Sequence, residues 1–216
     1  MSAPLPNDEF PVTERTRMRR KGKRATYDRD LVFGILDEAL IASVAVAIDG
    51  QAHVQPMIHV REGDRLILHG LATNRLLSAI AGGAGACINV AIIDALVLAR
   101  RTEDHSMHYR SASVYGHGAL VEDEAEKQRL MHHVFNHLVK TERLQHLPDL
   151  PGGYLKGSMV LTVPIEEAVG KVNQGIATDD GPEGVWSGIV PLETRRLEPV
   201  PDARTVAEHA TAGEPQ

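Results

Sequence analysis

The dipeptide Asp49-Gly50 separates two β-forming runs, and this junction constrains the chain more than any other feature. Ile41–Ile48 is an unbroken run of β-branched and small residues, and residues 52–60 alternate polar and apolar side chains. Asp-Gly between such runs selects a two-residue hairpin turn, so the runs pair antiparallel. Pro56 has no amide hydrogen to offer a ladder, so its strand is expected to be an edge or to bulge there. Downstream, Glu62-Gly63-Asp64 turns the chain into a strand over 65–69, which Gly70 ends. Thr73 or Asn74 caps a helix through Ala81, and Gly82-Gly83 close it before a long strand over 86–98.

Upstream, Asp28 and Asp30 are N-cap candidates for a helix whose Leu31, Val32, Ile35, Leu36, Ala39 and Leu40 fall at helical spacing. Beyond the long strand, the pattern predicts a strand over 109–121 and a helix from an Asp123 cap to about residue 140. A loop over 144–157, a strand over 158–163, a short helix over 165–172 and an extended piece over 185–192 follow. Strands joined mainly by hairpins predict an α+β fold, an antiparallel sheet closed into a β-barrel with flanking helices. The folded domain is expected over residues 15–202. Pro-rich residues 1–14 and aperiodic residues 203–216 read as disordered tails.

Among 216 residues there is one cysteine, Cys87, which excludes an intramolecular disulfide and a Cys-rich zinc site. Only 4% are aromatic, which argues against a platform for stacked bases. No run reaches the length of a membrane-spanning helix and no signal sequence is evident, so the expectation is a soluble, cytoplasmic protein without a membrane partner. The net charge is −6, but residues 15–24 hold seven basic and no acidic residues, leaving sixteen basic against 29 acidic and a net of −13 elsewhere. An acidic body argues against nucleic-acid binding, and the arm is expected to meet that body or a bound nucleotide.

The phosphate-loop, dinucleotide-fold, zinc-protease and nucleophile-elbow motifs are all absent. His133 and His137 stand i, i+4 on one helix, a spacing that suits a metal, yet no third ligand accompanies them and a solvated face is the simpler reading, so no metal site is expected. Three segments carry denser chemistry. The strand around His53, Val54, Gln55, Pro56 and Met57 would offer backbone groups to a planar heterocycle. His69 and Gly70 end a strand just before Asn74 and Arg75 open a helix, bringing orphan amides and a guanidinium fork together as an anion site. The run Ser106-Met107-His108-Tyr109-Arg110-Ser111-Ala112-Ser113-Val114-Tyr115 puts Tyr109, Ser111, Ser113 and Tyr115 on one face, with His108 and Arg110 on the other. A ligand wall and a dimer seam explain that run equally well.

These segments, with Arg17-Met18-Arg19-Arg20, Tyr27-Asp28, Ile35-Leu36-Asp37-Glu38-Ala39, Asp49-Gly50-Gln51 and Val185-Trp186-Ser187-Gly188, stand in an order that resembles the pyridoxamine 5′-phosphate oxidase-like, FMN-binding split-barrel superfamily. The nearest likeness is to its branch of nitroimidazole-resistance flavoproteins. The resemblance implies a six-stranded antiparallel split barrel forming a homodimer, with FMN at the subunit interface. It implies that His53, Val54, Gln55, Pro56 and Met57 line the isoalloxazine, that His69, Gly70, Asn74 and Arg75 take the ribityl phosphate, and that Arg110, Ser111 and Trp186 approach the flavin.

His69 is then the candidate catalytic proton donor. The activity implied is an FMN-dependent oxidoreductase, with NADH or NADPH as electron donor and a small-molecule acceptor. The alternative is a flavin, deazaflavin or haem carrier or sensor on the same barrel. Residues 53–59 lack the Arg and Lys that the oxidases place at that strand's ends, so pyridoxamine phosphate oxidation itself is not expected.

Overall fold

In the structure, a computed structural model that describes residues 9–139, 148–175, 181–198 and 200–206, the hairpin forms as its turn residues require. Asp49 and Gly50 take φ of 52° and 75°, a left-handed pair that suits a tight turn. The turn joins β2 (Ile41–Ile48) to β3 (Gln51–Glu62), which pair antiparallel without interruption from Ile41↔Ile58 to Ile48↔Gln51. Pro56 therefore makes no bulge. It is tolerated because, among the described residues, 51–58 of β3 have β2 on one side and no strand on the other. From His59 onward β3 pairs instead with β4 (Arg65–Leu71), so one strand passes between two halves of the sheet.

The remaining strands are β1 (Ala25–Thr26), β5 (Gly85–Leu98), β6 (Ser106–His117), β7 (Ala119–Leu120), β8 (Ser158–Pro164), β9 (Glu167–Asn173) and β10 (Gly188–Pro191). The order is β1-β9-β6-β5-β2-β3-β4-β8-β7, with β10 added to β5. Among the described residues the sheet is thus antiparallel and ten-stranded rather than six-stranded, and it does not close by hydrogen bonds. Where β6 nears β8, side chains fill the gap: a Cβ on Gly116 would lie 3.1 Å from Val163 and 3.2 Å from the Pro164 carbonyl. The segment expected as a helix over 165–172 is strand β9, paired to β6 and, at Gly170, to β1. Its Glu-Glu-Ala start favours a helix locally, but burial of Ala168 and Val169 between neighbours overrides that preference. The expected loop over 144–157 ends in a short helix, α4 (Gly152–Gly157).

Capping residues set the other helices. Asp28 accepts the Leu31 amide at 2.7 Å to start α1 (Arg29–Glu38), and Asn74 accepts those of Leu76 and Leu77 at 3.0 Å to start α2 (Arg75–Ala81). Asp123 accepts the Glu126 amide at 2.7 Å at the head of α3 (Glu124–Val139). Two cores result. Val32, Ile35 and Leu36 of α1 and Leu77 and Ile80 of α2 fill the concave side against Val44, Ile88, Val114, Leu68 and Leu161. On the other side of β4 and β8, Ile67 and Val160 pack with Leu130, Met131 and Val134 of α3. Burial on both sides is why residues 66–68 read as one apolar run. No helix among the described residues is long and apolar enough to cross a membrane.

Residues 9–14, expected to be tail, belong to the body. Phe10 is 2% exposed, donates its amide to the Tyr27 carbonyl at 2.7 Å, meets Phe33 edge to face at 5.7 Å and lies 4.4 Å under the Arg29 guanidinium. Residues 203–206, also expected to be tail, form one capped helical turn with the Thr205 amide on Asp202 at 2.8 Å. Residues 1–8 and 207–216 lie outside the described residues. Phe10→Ala should lower unfolding free energy by about 3–5 kcal/mol, measured by urea denaturation, whereas loss of a tail side chain would leave the midpoint unmoved.

Candidate functional site

The open edge of β3 faces the start of α2 across a cleft of about 250 Å³ lined by Ile48, His53, Val54, Gln55, Asn74, Arg75 and Leu76. Five of these, His53, Val54, Gln55, Asn74 and Arg75, are residues the sequence singled out in two separate segments. Asn74 joins the walls by donating from Nδ2 to Gln55 Oε1 at 3.0 Å. Two of the orphan amides expected at this helix start, those of Leu76 and Leu77, are taken by Asn74 Oδ1. The Arg75 side chain has Asp49 as its ion-pair partner at 3.7 Å. Ile48, Asp49 and Leu76 escaped the sequence reading, although a tight turn at Asp49-Gly50 necessarily brings Ile48 and Asp49 alongside the strand that follows.

Other expected members lie elsewhere. Met57 and Pro56 follow the period of two: Met57 is 7% exposed and packs in the first core, while Pro56 stays outward. Gly70 serves helix packing, since a Cβ there would lie 2.9 Å from Leu77 Cδ1. His69, its neighbour on β4, points to the opposite side and meets Phe135 of α3 edge to face at 5.8 Å. Burial holds the His69 pKa below the ordinary imidazole value, and its buried Nδ1 has no hydrogen-bond partner among the described residues. Adjacent residues of β4 project to opposite faces of the sheet, so the expected His69-Gly70 pair divides between two faces.

Arg110 and Ser111 divide in the same way. Arg110 shares the parity of buried Ala112 and Val114 and reaches under the end of α1, where it donates from Nε and Nη2 to Asp94 at 2.9 and 2.6 Å and from Nη2 to Glu38 at 2.8 Å. Asp94 is the extra residue of a β-bulge in β5 between Ile93 and Ala95, and the bulge places it beside the guanidinium. Arg110 in turn holds the Asp94 pKa below the usual carboxylate value. Ser111 lies on the outer face of β6, beside the Lys171 carbonyl at 3.5 Å. Trp186 is 63% exposed and precedes β10, which pairs with the Leu98 end of the 14-residue β5, whereas β2 leads into the cleft from the Ala86 end.

His133 is half-buried rather than solvated: its Nε2 donates to the Arg61 carbonyl at 3.2 Å. No cluster of three metal-ligating side chains occurs among the described residues. In the basic arm, Arg15 pairs with Glu167 and Arg19 with Glu14, so one of these two contacts reaches the body and the other stays within the N-terminal segment. Tyr27 Oη donates to the Thr16 carbonyl at 2.9 Å and fixes the arm's base.

The sequence matches the family described as pyridoxamine 5′-phosphate oxidase over residues 28–172. The flavocytochrome Anf3 from Azotobacter vinelandii is 30% identical, with 89% of this chain and 90% of that one covered and a TM-score of 0.81. The FAD and haem binding protein from Mycobacterium smegmatis is 27% identical, covering 83% of this chain and 89% of that one with a TM-score of 0.78. A candidate 5-nitroimidazole antibiotic resistance protein from Bacteroides thetaiotaomicron shares the fold at 22% identity and a TM-score of 0.58, over 68% of this chain and 86% of that one. No curated protein matches the sequence.

The geometry separates a structural arginine from a cleft arginine. Arg110→Ala should cost about 1–3 kcal/mol of stability, because it strips charged hydrogen bonds from two carboxylates, and Arg110→Lys should recover only part. Asp94 has a depressed folded pKa, so this contribution is present above the unfolded carboxylate value of about 3.9 and fades as acid protonates Asp94. Urea titrations of wild type and Arg110→Ala across that range should converge at low pH.

Proposed function

The chain belongs to the pyridoxamine 5′-phosphate oxidase family, and on that premise we propose that it is a flavin-binding redox protein whose cofactor phosphate enters the cleft at Arg75. The observation that carries this reading is the cleft itself: a forked cation and a polar side-chain pair stand opposite a strand edge whose backbone groups have no strand partner. The residues fit a flavin. Arg75 offers a bidentate contact to phosphate, Asn74 and Gln55 give polar walls, and the amide and carbonyl groups of residues 51–58 suit the hydrogen-bonding edge of the ring. FMN, implied by the resemblance, and FAD, named for the Mycobacterium relative, share the ring and ribityl phosphate that this cleft would hold.

A bound flavin supplies hydride and single-electron transfer, chemistry that no side chain here provides. The chain's own residues would bind, orient and exclude water. His53, the histidine that lines the cleft, takes the proton-donor role first assigned to His69, whose ring packs on Phe135. In this reading NADH or NADPH delivers the electrons and a small molecule accepts them.

The cofactor would sit where two copies meet. Among the described residues no helix lies over the outer face of β2, β5 and β6, and Val190, Leu96 and Met107 stand in register across β10, β5 and β6 as an exposed apolar row. A second copy covers such a face, and it would bring Ser111, Tyr109 and the basic arm toward the first copy's flavin.

A specific observation favours haem as a second reading. His53 opens onto the cleft, imidazole is a common axial ligand of haem iron, and two relatives at 27% and 30% identity are a haem binding protein and a flavocytochrome. The absorption spectrum of the purified protein separates the readings: flavin bands alone, or flavin bands with a Soret band that His53→Ala removes. Arg75→Ala should weaken flavin binding about ten- to a hundredfold, the worth of one charged hydrogen bond, with unchanged circular dichroism, and Arg75→Lys should restore only part. Equal flavin affinity in wild type and Arg75→Ala, by fluorescence titration, would remove Arg75 from the site.

A further inference from the structure

Among the described residues Arg75 is the one permanently charged side chain lining the cleft, and Asp49 of the β2–β3 turn stands 3.7 Å from it. Both side chains are largely exposed, 66% for Arg75 and 89% for Asp49, so the pair holds loosely and a ligand can displace it. Asp49 sits at φ 52°, a conformation that Asn adopts as readily as Asp. The backbone therefore does not dictate a carboxylate here. What distinguishes Asp from Asn at this position is a negative charge beside the fixed cation of the cleft, Arg75.

A phosphate entering the cleft must compete with that carboxylate for Arg75 and then remain near it. The penalty grows with the charge carried on the phosphate. A terminal phosphomonoester has its second pKa near 6 and carries between about −1.5 and −2 at neutral pH, whereas each phosphate of a pyrophosphate diester carries a single charge. The other groups on the cleft leave this balance in place, since His53 is the remaining titratable side chain of the lining and Asn74 and Gln55 are neutral.

We propose that Asp49 is a specificity residue that disfavours a flavin ending in a phosphomonoester and so tilts the cleft toward a flavin joined through a pyrophosphate, FAD over FMN. The proposal rests on the flavin reading above. It also gives the Asp-Gly turn a role in selection as well as in folding.

The test is Asp49→Asn, which keeps the turn and removes the charge. Purified wild type and variant, freed of bound cofactor, are titrated with FMN, FAD and riboflavin at neutral pH and low salt, following flavin fluorescence. Asp49→Asn should raise FMN affinity about tenfold, FAD affinity by less than about threefold, and leave riboflavin, which has no phosphate, unchanged. The FMN gain should shrink in high salt as the charges are screened. Equal changes for FMN and FAD, or no change for either, would overturn the specificity role while leaving flavin binding intact. Failure of both proteins to bind any of the three would overturn the flavin reading and the proposal with it.

Discussion

The arrangement depends on β3 changing partners. Residues 51–58 pair with β2, and from His59 onward the strand pairs with β4. At the changeover His59 is fully buried and donates from Nε2 to the Leu36 carbonyl at 2.9 Å, which ties the crossing to the end of α1. Burial keeps that imidazole below its ordinary pKa, in keeping with a neutral ring that serves as a fixed donor. Because β4 joins only at His59, the first half of β3 keeps an unpaired edge, and α2 stands across from it to make the cleft. A strand paired on both sides throughout would have no such edge.

The same crossing divides the chemistry. On β4 the alternation sends Leu68 to one core, Ile67 to the other, and His69 to the α3 side, while Gly70 lets Leu77 approach. On β6 it sends Arg110 beneath α1 and Ser111 to the outer face. Residues adjacent in sequence thus serve different layers. One layer holds the helices to the sheet, and the other carries Ser111 on its outer face.

Local signals carried much of this. The Asp-Gly turn, the Asp28, Asn74 and Asp123 caps and the apolar periods of β2 and β5 are interactions within a few residues, and they were legible for that reason. The cleft residues His53, Gln55, Asn74 and Arg75 were also recognisable, because a strand with a proline edge and a capped helix start each suggest a ligand by local chemistry. Three features were not legible: β9 as a strand, Phe10 as core and Arg110 as an α1 anchor. Each depends on a partner far along the chain, Arg110 on a bulge at Asp94 and a glutamate on another element. His69 and Gly70, like Arg110 and Ser111, lie on different faces of their strands, a separation that the alternation of a strand imposes and the linear order of segments does not display.

The central claim is that the open edge of β3 and the start of α2 form the flavin site. Amide hydrogen exchange with and without bound flavin tests it most directly, because an edge strand exchanges freely until something pairs with it. The account predicts that flavin slows exchange in residues 51–58 and 74–77 more than elsewhere in the chain. Protection confined to β10 and the residues around Trp186, with the β3 edge unchanged, would contradict it.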